Sequence, residues 1–516
     1  MSRALKCLLV MSILLGGAVL ARAAEDRALE RGAAVIDPAI LRELDHGRLS
    51  LGRMLAPERA ADVPLSNRDL FGLPVMVPVR EALDREFDRY VGNHRASLPN
   101  ESIGVGDGFA FQLFDRALFE SPDVRFVLAG IVNRMDRAYV APKDCGEIRL
   151  IYRLTRTDVP LIGENAVSQR LPMTLNLVLK AKGDGNEPSL SCREIARRWL
   201  ATASTPPAMD KLFGKDGPLD LIDARNIDRI ETNLQIAHAP KSAVRDFRTD
   251  YLLKVFDYDG ASAKRFAEAP LENQIDRDRI LAEEALRRDF KTWLLDPRHF
   301  AEFDRGTLLI PDKFLARGAV APTPTGFDVS DLEPEYGMVQ GEGSAGPALF
   351  SEGDVVGALQ KATADGTKLQ NIQSLAGFER RLNDVTCAGC HQTRGIGGFH
   401  FPGVDWMAAK PSNSTVVPAS PHFFGDQPRR RDILASFRDG KAPDFSRGFS
   451  NRPQLRASAE LAGTEYSDGW GAHCYLPGAR PAETDRSFRG WTCAEGLACQ
   501  VAGKTSRMGM CFVKGR

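Results

Sequence analysis

Five consecutive residues carry the most specific chemistry in this chain: Cys387-Ala388-Gly389-Cys390-His391. Two thiols at this spacing can each add to one vinyl group of a haem, and the adjoining imidazole then sits under the iron as proximal ligand. The spacing therefore predicts one covalent haem c held by Cys387 and Cys390, with His391 on the metal. Other uses of a C-x-x-C pair need a context that is missing. A redox dithiol wants a thioredoxin-like βαβ unit. Half a zinc site wants a second C-x-x-C or an H-x-x-x-H partner. A disulfide between near neighbours would leave His391 without a role.

The opposite face of the iron decides what such a haem could do. His422, flanked by Pro421 and Phe423, is the first candidate for a sixth ligand. Met407 is the second, and His400 the third. A Met would raise the reduction potential relative to a His. An open position would admit peroxide, oxygen or another small ligand, and His400 would then be a distal acid/base instead. Arg429-Arg430-Arg431 follows closely. Such a cluster is either a solvated face or a clamp for haem propionates, with Arg430 as the propionate contact.

The first residues predict export. Arg3 and Lys6 precede an apolar run from Cys7 to Leu20, and Ala21-Arg22-Ala23 is a small-residue cleavage pattern. This reads as a signal peptide cut near Ala23 that leaves a periplasmic or secreted protein. The run is short of the roughly 20 apolar residues that span a bilayer, so the mature chain is not expected to be an integral membrane protein. Of the nine cysteines, one lies in the leader and two in the haem motif. The even remainder predicts three disulfides in an oxidising compartment. Cys145 and Cys192 stand alone and form the natural pair, worth about 4 kcal/mol in a chain-entropy view. Two more bridges are expected among Cys474, Cys493, Cys499 and Cys511, with their connectivity open. Lys+Arg and Asp+Glu both number 68; a nucleic-acid binder should show a basic excess.

Asp37 and Pro38 open a helix. Val79, Leu83, Phe87 and Val91 mark a second over 79–91, and 108–120 suggests a third. Strands are expected at 124–132, 147–154, 173–180, 228–237 and 247–257, and a capping box at Ser191 starts a helix. Residues 272–296 read as one long charged helix, 349–385 as mostly helical, and 431–440 as a short helix. Asn133-Arg134-Met135-Asp136-Arg137 closes the strand at 124–132, where its charges could be solvated, paired or part of a site. Gly341-Glu342-Gly343-Ser344-Ala345-Gly346 matches a dinucleotide loop in letters, but lacks a preceding strand and reads as linker.

Gly377-Phe378-Glu379-Arg380 through Cys387-Ala388-Gly389-Cys390-His391, with Gly395-Ile396-Gly397-Gly398 and Phe401-Pro402-Gly403 after it, resembles a class I c-type cytochrome domain over about 365–445. The resemblance implies thioethers at Cys387 and Cys390 and a proximal His391. It departs from the family in offering no methionine at the usual downstream distance.

The expected fold class is multidomain. A leader (1–23) precedes a large α+β N-terminal domain (24–318) of no assigned role. A linker (319–347), a mostly α cytochrome c-like haem domain (348–462) and a small disulfide-rich C-terminal module (463–516) follow. The leading functional expectation is one-electron transfer to a redox partner protein. The alternatives are a haem enzyme of peroxidase or oxidase type with an open iron site, and an extracytoplasmic binding protein with haem as sensor or structural element.

Overall fold

Asp37 accepts the N–H groups of Ala39 and Ile40 at 3.0 and 3.1 Å and so starts helix α1 (Pro38–His46). The structure, a computed structural model, describes residues 34–58, 64–182, 190–201, 209–220, 222–239, 248–260, 262–322, 349–392, 401–411, 423, 426–449, 472–480, 484–501 and 507–514. The expected leader and the Gly341–Gly346 stretch lie outside these residues.

Helix α2 (Val77–Ser97) buries Val79, Leu83 and Phe87, the row expected from their spacing. The third helix expected at 108–120 is instead a short strand followed by a 3-10 turn (Arg116–Glu120). Gln112 and Leu113 pair with His238 and Ala237 of a neighbouring strand, and that pairing wins over local helix propensity.

Ten strands form one sheet: β1 (Ala34–Val35), β2 (Ile103–Gly104), β3 (Phe111–Leu113), β4 (Val124–Arg134), β5 (Glu147–Arg156), β6 (Arg170–Lys180), β7 (Ile227–Ala239), β8 (Arg248–Asp259), β9 (Arg265–Ala269) and β10 (Ala319–Pro322). The run β4-β5-β6-β7-β8-β9 pairs antiparallel in chain order. Two short strands share the far edge of β8. β9 pairs with Val255–Asp259 and β10 with Asp250–Leu253.

One face of the sheet is the main core. Leu150, Tyr152 and Leu154 of β5, Leu175 and Leu177 of β6, and Ile230 and Leu234 of β7 pack against Leu41, Leu83 and Phe87 of the N-terminal helices and Trp199 of helix α3 (Cys192–Ala201). The residues between them, Glu147, Arg149 and Arg153 on β5, are buried as well. The central strands are therefore covered on both faces, although only one face is apolar. The Cys145–Cys192 disulfide ties the turn before β5 to the start of α3.

The expected single helix at 272–296 is two, Arg277–Ala282 and α4 (Glu284–Leu294), because Glu283 between them takes an extended conformation. Helices α5 (Glu352–Ala364) and α6 (Leu375–Asp384) follow. Phe290, Phe300 and Phe314 share one apolar cluster with Leu349, Val355, Phe378 and Leu382. A carboxylate reinforces the contact. Asp304 accepts the N–H of Asn371 at 2.7 Å and of Ile372 at 2.9 Å.

The expectation of a separate, mostly α cytochrome c-like domain is thus overturned. The helices before the C-x-x-C motif complete the core of residues 275–315. The motif helix α7 (Cys387–Gln392) touches β10, and Val404 and Trp406 join the main core. A large antiparallel sheet with helices on both sides replaces the expected helical unit. Helix α8 (Gln427–Asp439) packs on α3.

At the C-terminus β11 (His473–Tyr475), β12 (Leu497–Val501) and β13 (Met508–Val513) form a second sheet, in the order β11-β13-β12. Disulfides Cys474–Cys499 and Cys493–Cys511 staple it, so all three expected bridges are present. So small a module has too little core to hold alone. Phe488 and Trp491 pack on Phe449, and the Ser487 hydroxyl lies 2.9 Å from that of Ser374 at the head of α6. Among the described residues no helix is long and apolar enough to cross a membrane.

Candidate functional site: a charged cavity under the C-x-x-C helix

The second, charged face of the sheet is the floor of a cavity of about 740 Å³. Its size falls within the range of small-molecule and cofactor sites. Cys387 and Cys390 stand on its wall, and neither is in a disulfide. Phe401 and Phe423 line it from the segments that follow, and Arg430 and Arg447 from α8 and beyond.

Local geometry explains how the motif is held. The Thr386 hydroxyl accepts the N–H of Gly389 at 2.9 Å and donates to the Asn383 carbonyl at 2.7 Å, which turns the chain sharply from α6 into α7. Gly389 lies so close to that carbonyl that a Cβ would stand 2.1 Å from the oxygen. Only glycine fits at position 389. The loop after β9 cradles the other side. Gln274 Oε1 accepts the N–H of Ala388 at 2.9 Å, and the Glu272 carbonyl faces Cys387 Sγ at 3.6 Å. Burial pushes the Cys387 thiol up to about 12, and the charges of Glu272 and Glu231 add to the effect.

The floor is a lattice of ion pairs. Glu147 accepts from Arg137 Nε at 2.9 Å, Arg149 Nη2 at 3.0 Å and Arg229 Nη2 at 2.7 Å. Arg149 and Arg229 also bind Glu231, and Arg137 forks onto Glu272. Burial alone would raise the Glu147 carboxyl, but the guanidiniums of Arg137, Arg229 and Arg149 hold it well below the usual carboxylate range. A buried carboxylate can stay ionised only with such partners.

A second group closes the β4 side. Asp136 binds Arg134 at 2.9 Å and Arg429 at 2.8 Å; Asp426 binds Arg429 at 2.6 Å and Arg430 at 2.8 Å. The strand end Asn133–Arg137 and the basic run Arg429–Arg430 thus meet at one place, far apart as they are in sequence. Arg429 and Arg430 are buried, so neither is part of a solvated face. A bulge between Leu128 and Gly130 lets the next segment dock. Val404 N donates to the Ala129 carbonyl at 2.9 Å, and Trp406 Nε1 to that of Leu128 at 3.0 Å.

The sequence candidates are distributed as follows. Cys387, Cys390 and Arg430 reach the cavity. His391 belongs to α7, but its side chain lies outside the described residues, as do His400 and His422 altogether. Met407 packs against the main core and does not line the cavity. Sequence reasoning did not anticipate Glu147, Arg149, Arg153, Arg229 and Glu231 as cavity residues. Their signal was charge of both signs two residues apart on each of two strands, Glu147 and Arg149 on β5 and Arg229 and Glu231 on β7, where polar side chains ordinarily face water.

The donor set bears on what the cavity could hold. Among the described residues the one cluster with metal-ligand spacing is Cys474, Cys493 and Cys511, and all three are in disulfides. Cys387 and Cys390 belong to no such cluster. The two thiols suit covalent attachment, and the cavity beside them is of cofactor size. Arg430 lines the cavity and its buried Nη1 has no hydrogen-bond partner among the described residues, so its positive charge is incompletely matched at that wall. The residues present therefore fit a tethered haem. No protein-family model matches the chain, and no curated protein and no solved structure matches it.

Proposed function

We propose that this chain is an exported protein with one covalent haem c on Cys387 and Cys390, His391 being the proximal ligand, and that it passes electrons one at a time to a redox partner protein. One observation carries the reading. Of the eight cysteines beyond the leader, six form disulfides, and the two outside any disulfide are the C-x-x-C pair on the cavity wall. Three disulfides also accord with an extracytoplasmic location.

When bound, the haem supplies a one-electron centre. The chain's own residues do the rest. The turn at Thr386–Gly389 fixes both thiols on one wall. The pre-paired charges of Glu147, Glu231, Arg149 and Arg229 give a polar floor whose dipoles are already oriented. Such a floor has little need to rearrange when charge changes above it.

A second reading is a haem enzyme with an open iron face. It is favoured by the position of Met407, which packs on the core away from the cavity, and by the number of charged groups on the cavity wall.

The test is expression in a host that exports and matures c-type haem proteins. Haem that stays with the polypeptide through acid-acetone extraction supports the proposal; haem that washes out sinks it. Carbon monoxide then separates the two readings. Ferrous bands that do not move favour the electron carrier, and an immediate shift favours the enzyme.

A further inference from the structure

The ion pairs beside β4 do not balance. Three guanidiniums, those of Arg134, Arg429 and Arg430, face two carboxylates, Asp136 and Asp426. Arg429 spends its donors on both acids and on the Phe445 carbonyl. Arg430 gives Nε to Asp426 at 2.8 Å, and its Nη1 is buried without a partner among the described residues. The side chain is only 4% exposed, yet it lines the cavity, with its guanidinium 5.5 Å from the Phe423 ring. A buried charge in surplus at a cavity wall is costly unless a ligand completes it.

The surplus is placed far from the thiols. Cys387 packs with Leu253 and Val255 of β8. Phe423, under Arg430, packs with Val132 of β4. β4 and β8 are four strand positions apart, about 19 Å along the sheet. Glu272 and Glu231 stand near Cys387, and Arg134 stands beside Arg430.

We propose that Arg430, with Arg134 beside it, is a carboxylate-binding subsite at the β4 side of the cavity. The carboxylate has two possible sources: a propionate of a haem tethered at the opposite side, or a free small carboxylate that enters the cavity. The first source rests on the haem reading and the second does not. Burial, helped by Arg134, lowers the Arg430 guanidinium to about 10, as expected of a cation whose counter-charge is incomplete.

The test uses the full chain without haem (Cys387→Ser with Cys390→Ser), with acetate as probe and chloride at equal ionic strength as control. Acetate should raise the unfolding midpoint beyond chloride, and Arg430→Met should weaken that effect at least about tenfold. Arg430→Met leaves two guanidiniums for two carboxylates, so it should fold. Arg430→Lys, which keeps the charge without the fork, should retain part of the effect. No acetate effect in the parent, or an equal one in Arg430→Met, overturns the subsite. In haem-loaded protein, loss of the acetate effect together with a changed reduction potential in Arg430→Met identifies the propionate as occupant. A persisting acetate effect identifies a free carboxylate. Failure to attach haem would remove the first source but leave the result on haem-free protein standing.

Discussion

Glu147 and Arg229 meet at 2.7 Å on the buried face of the sheet, one on β5 and the other two strands away on β7. Glu147 also takes Arg137 and Arg149, so one carboxylate holds three guanidiniums out of water. Glu147→Gln should therefore destabilise by about 3–5 kcal/mol, the usual result of leaving buried charge uncompensated. Urea unfolding of the two proteins at pH 7 measures it. A loss below about 1 kcal/mol would mean that solvent reaches these arginines freely.

The same group fixes a pH response. Its folded pKa is depressed by Arg137, Arg229 and Arg149 against the opposing effect of burial. Its stabilisation is complete above the ordinary carboxylate pKa of about 4.3 and is lost as pH falls through the folded value. Asp136, held low by Arg134, Arg430 and Arg429 against burial, has the same sign. Stability should fall steeply below about pH 4, and Glu147→Gln should flatten that slope. Denaturation curves from pH 7 to 2 would show it; parallel slopes would contradict it.

Gly389→Ala adds a single methyl group and should do large damage. Its Cβ would lie 2.1 Å from the Asn383 carbonyl oxygen, a backbone atom that cannot swing aside. Either α7 shifts or the turn opens, at a cost of at least about 2 kcal/mol. Covalent haem yield per polypeptide should drop with it, although both thiols and His391 are retained. Haem stain against protein stain on one gel reads the ratio.

Cys387 should be a poor nucleophile in the folded haem-free chain. Burial first, and then Glu272 and Glu231, push its thiol up to about 12, and only the thiolate reacts. Iodoacetamide at pH 8 should label it at least about a hundredfold more slowly than in urea. Equal rates would mean that α7 opens easily.

Removing Cys145–Cys192 tests the staple between the sheet and α3. The paired Ala variant should lose about 2–5 kcal/mol. Scanning calorimetry of the variant against the parent gives the value.

Much of the scaffold is legible in the sequence for identifiable reasons. Asp37-Pro38 announces α1, the alternation at Met173–Leu179 announces β6, and two isolated cysteines announce their own bridge. What the sequence conceals is which face is wet. Arg149 and Arg153 read as solvent-facing residues of a half-buried strand. They are covered by residues far along the chain, among them Phe401, whose carbonyl accepts from Arg153 and whose ring lies against Arg149, and no local pattern encodes a cover so distant. The expected cytochrome c-like unit fails for a related reason. Phe378 and Leu382 show the apolar spacing of a helix, but spacing does not reveal that their partners are Phe300, Phe303 and Phe314 in place of a helix of their own domain. The break at Glu283 is equally hidden, since a charged residue in a charged segment carries no stop signal.

The cavity wall draws on residues from Arg134 to Arg447, and this separation has a kinetic consequence. Contacts between distant parts of a chain form slowly, since each closes a long loop before any enclosure is gained. Enclosing Cys387 and Cys390 is therefore expected to be among the slower steps of folding: the strands must pair, and residues as far along as Arg447 must arrive, before the cavity has walls.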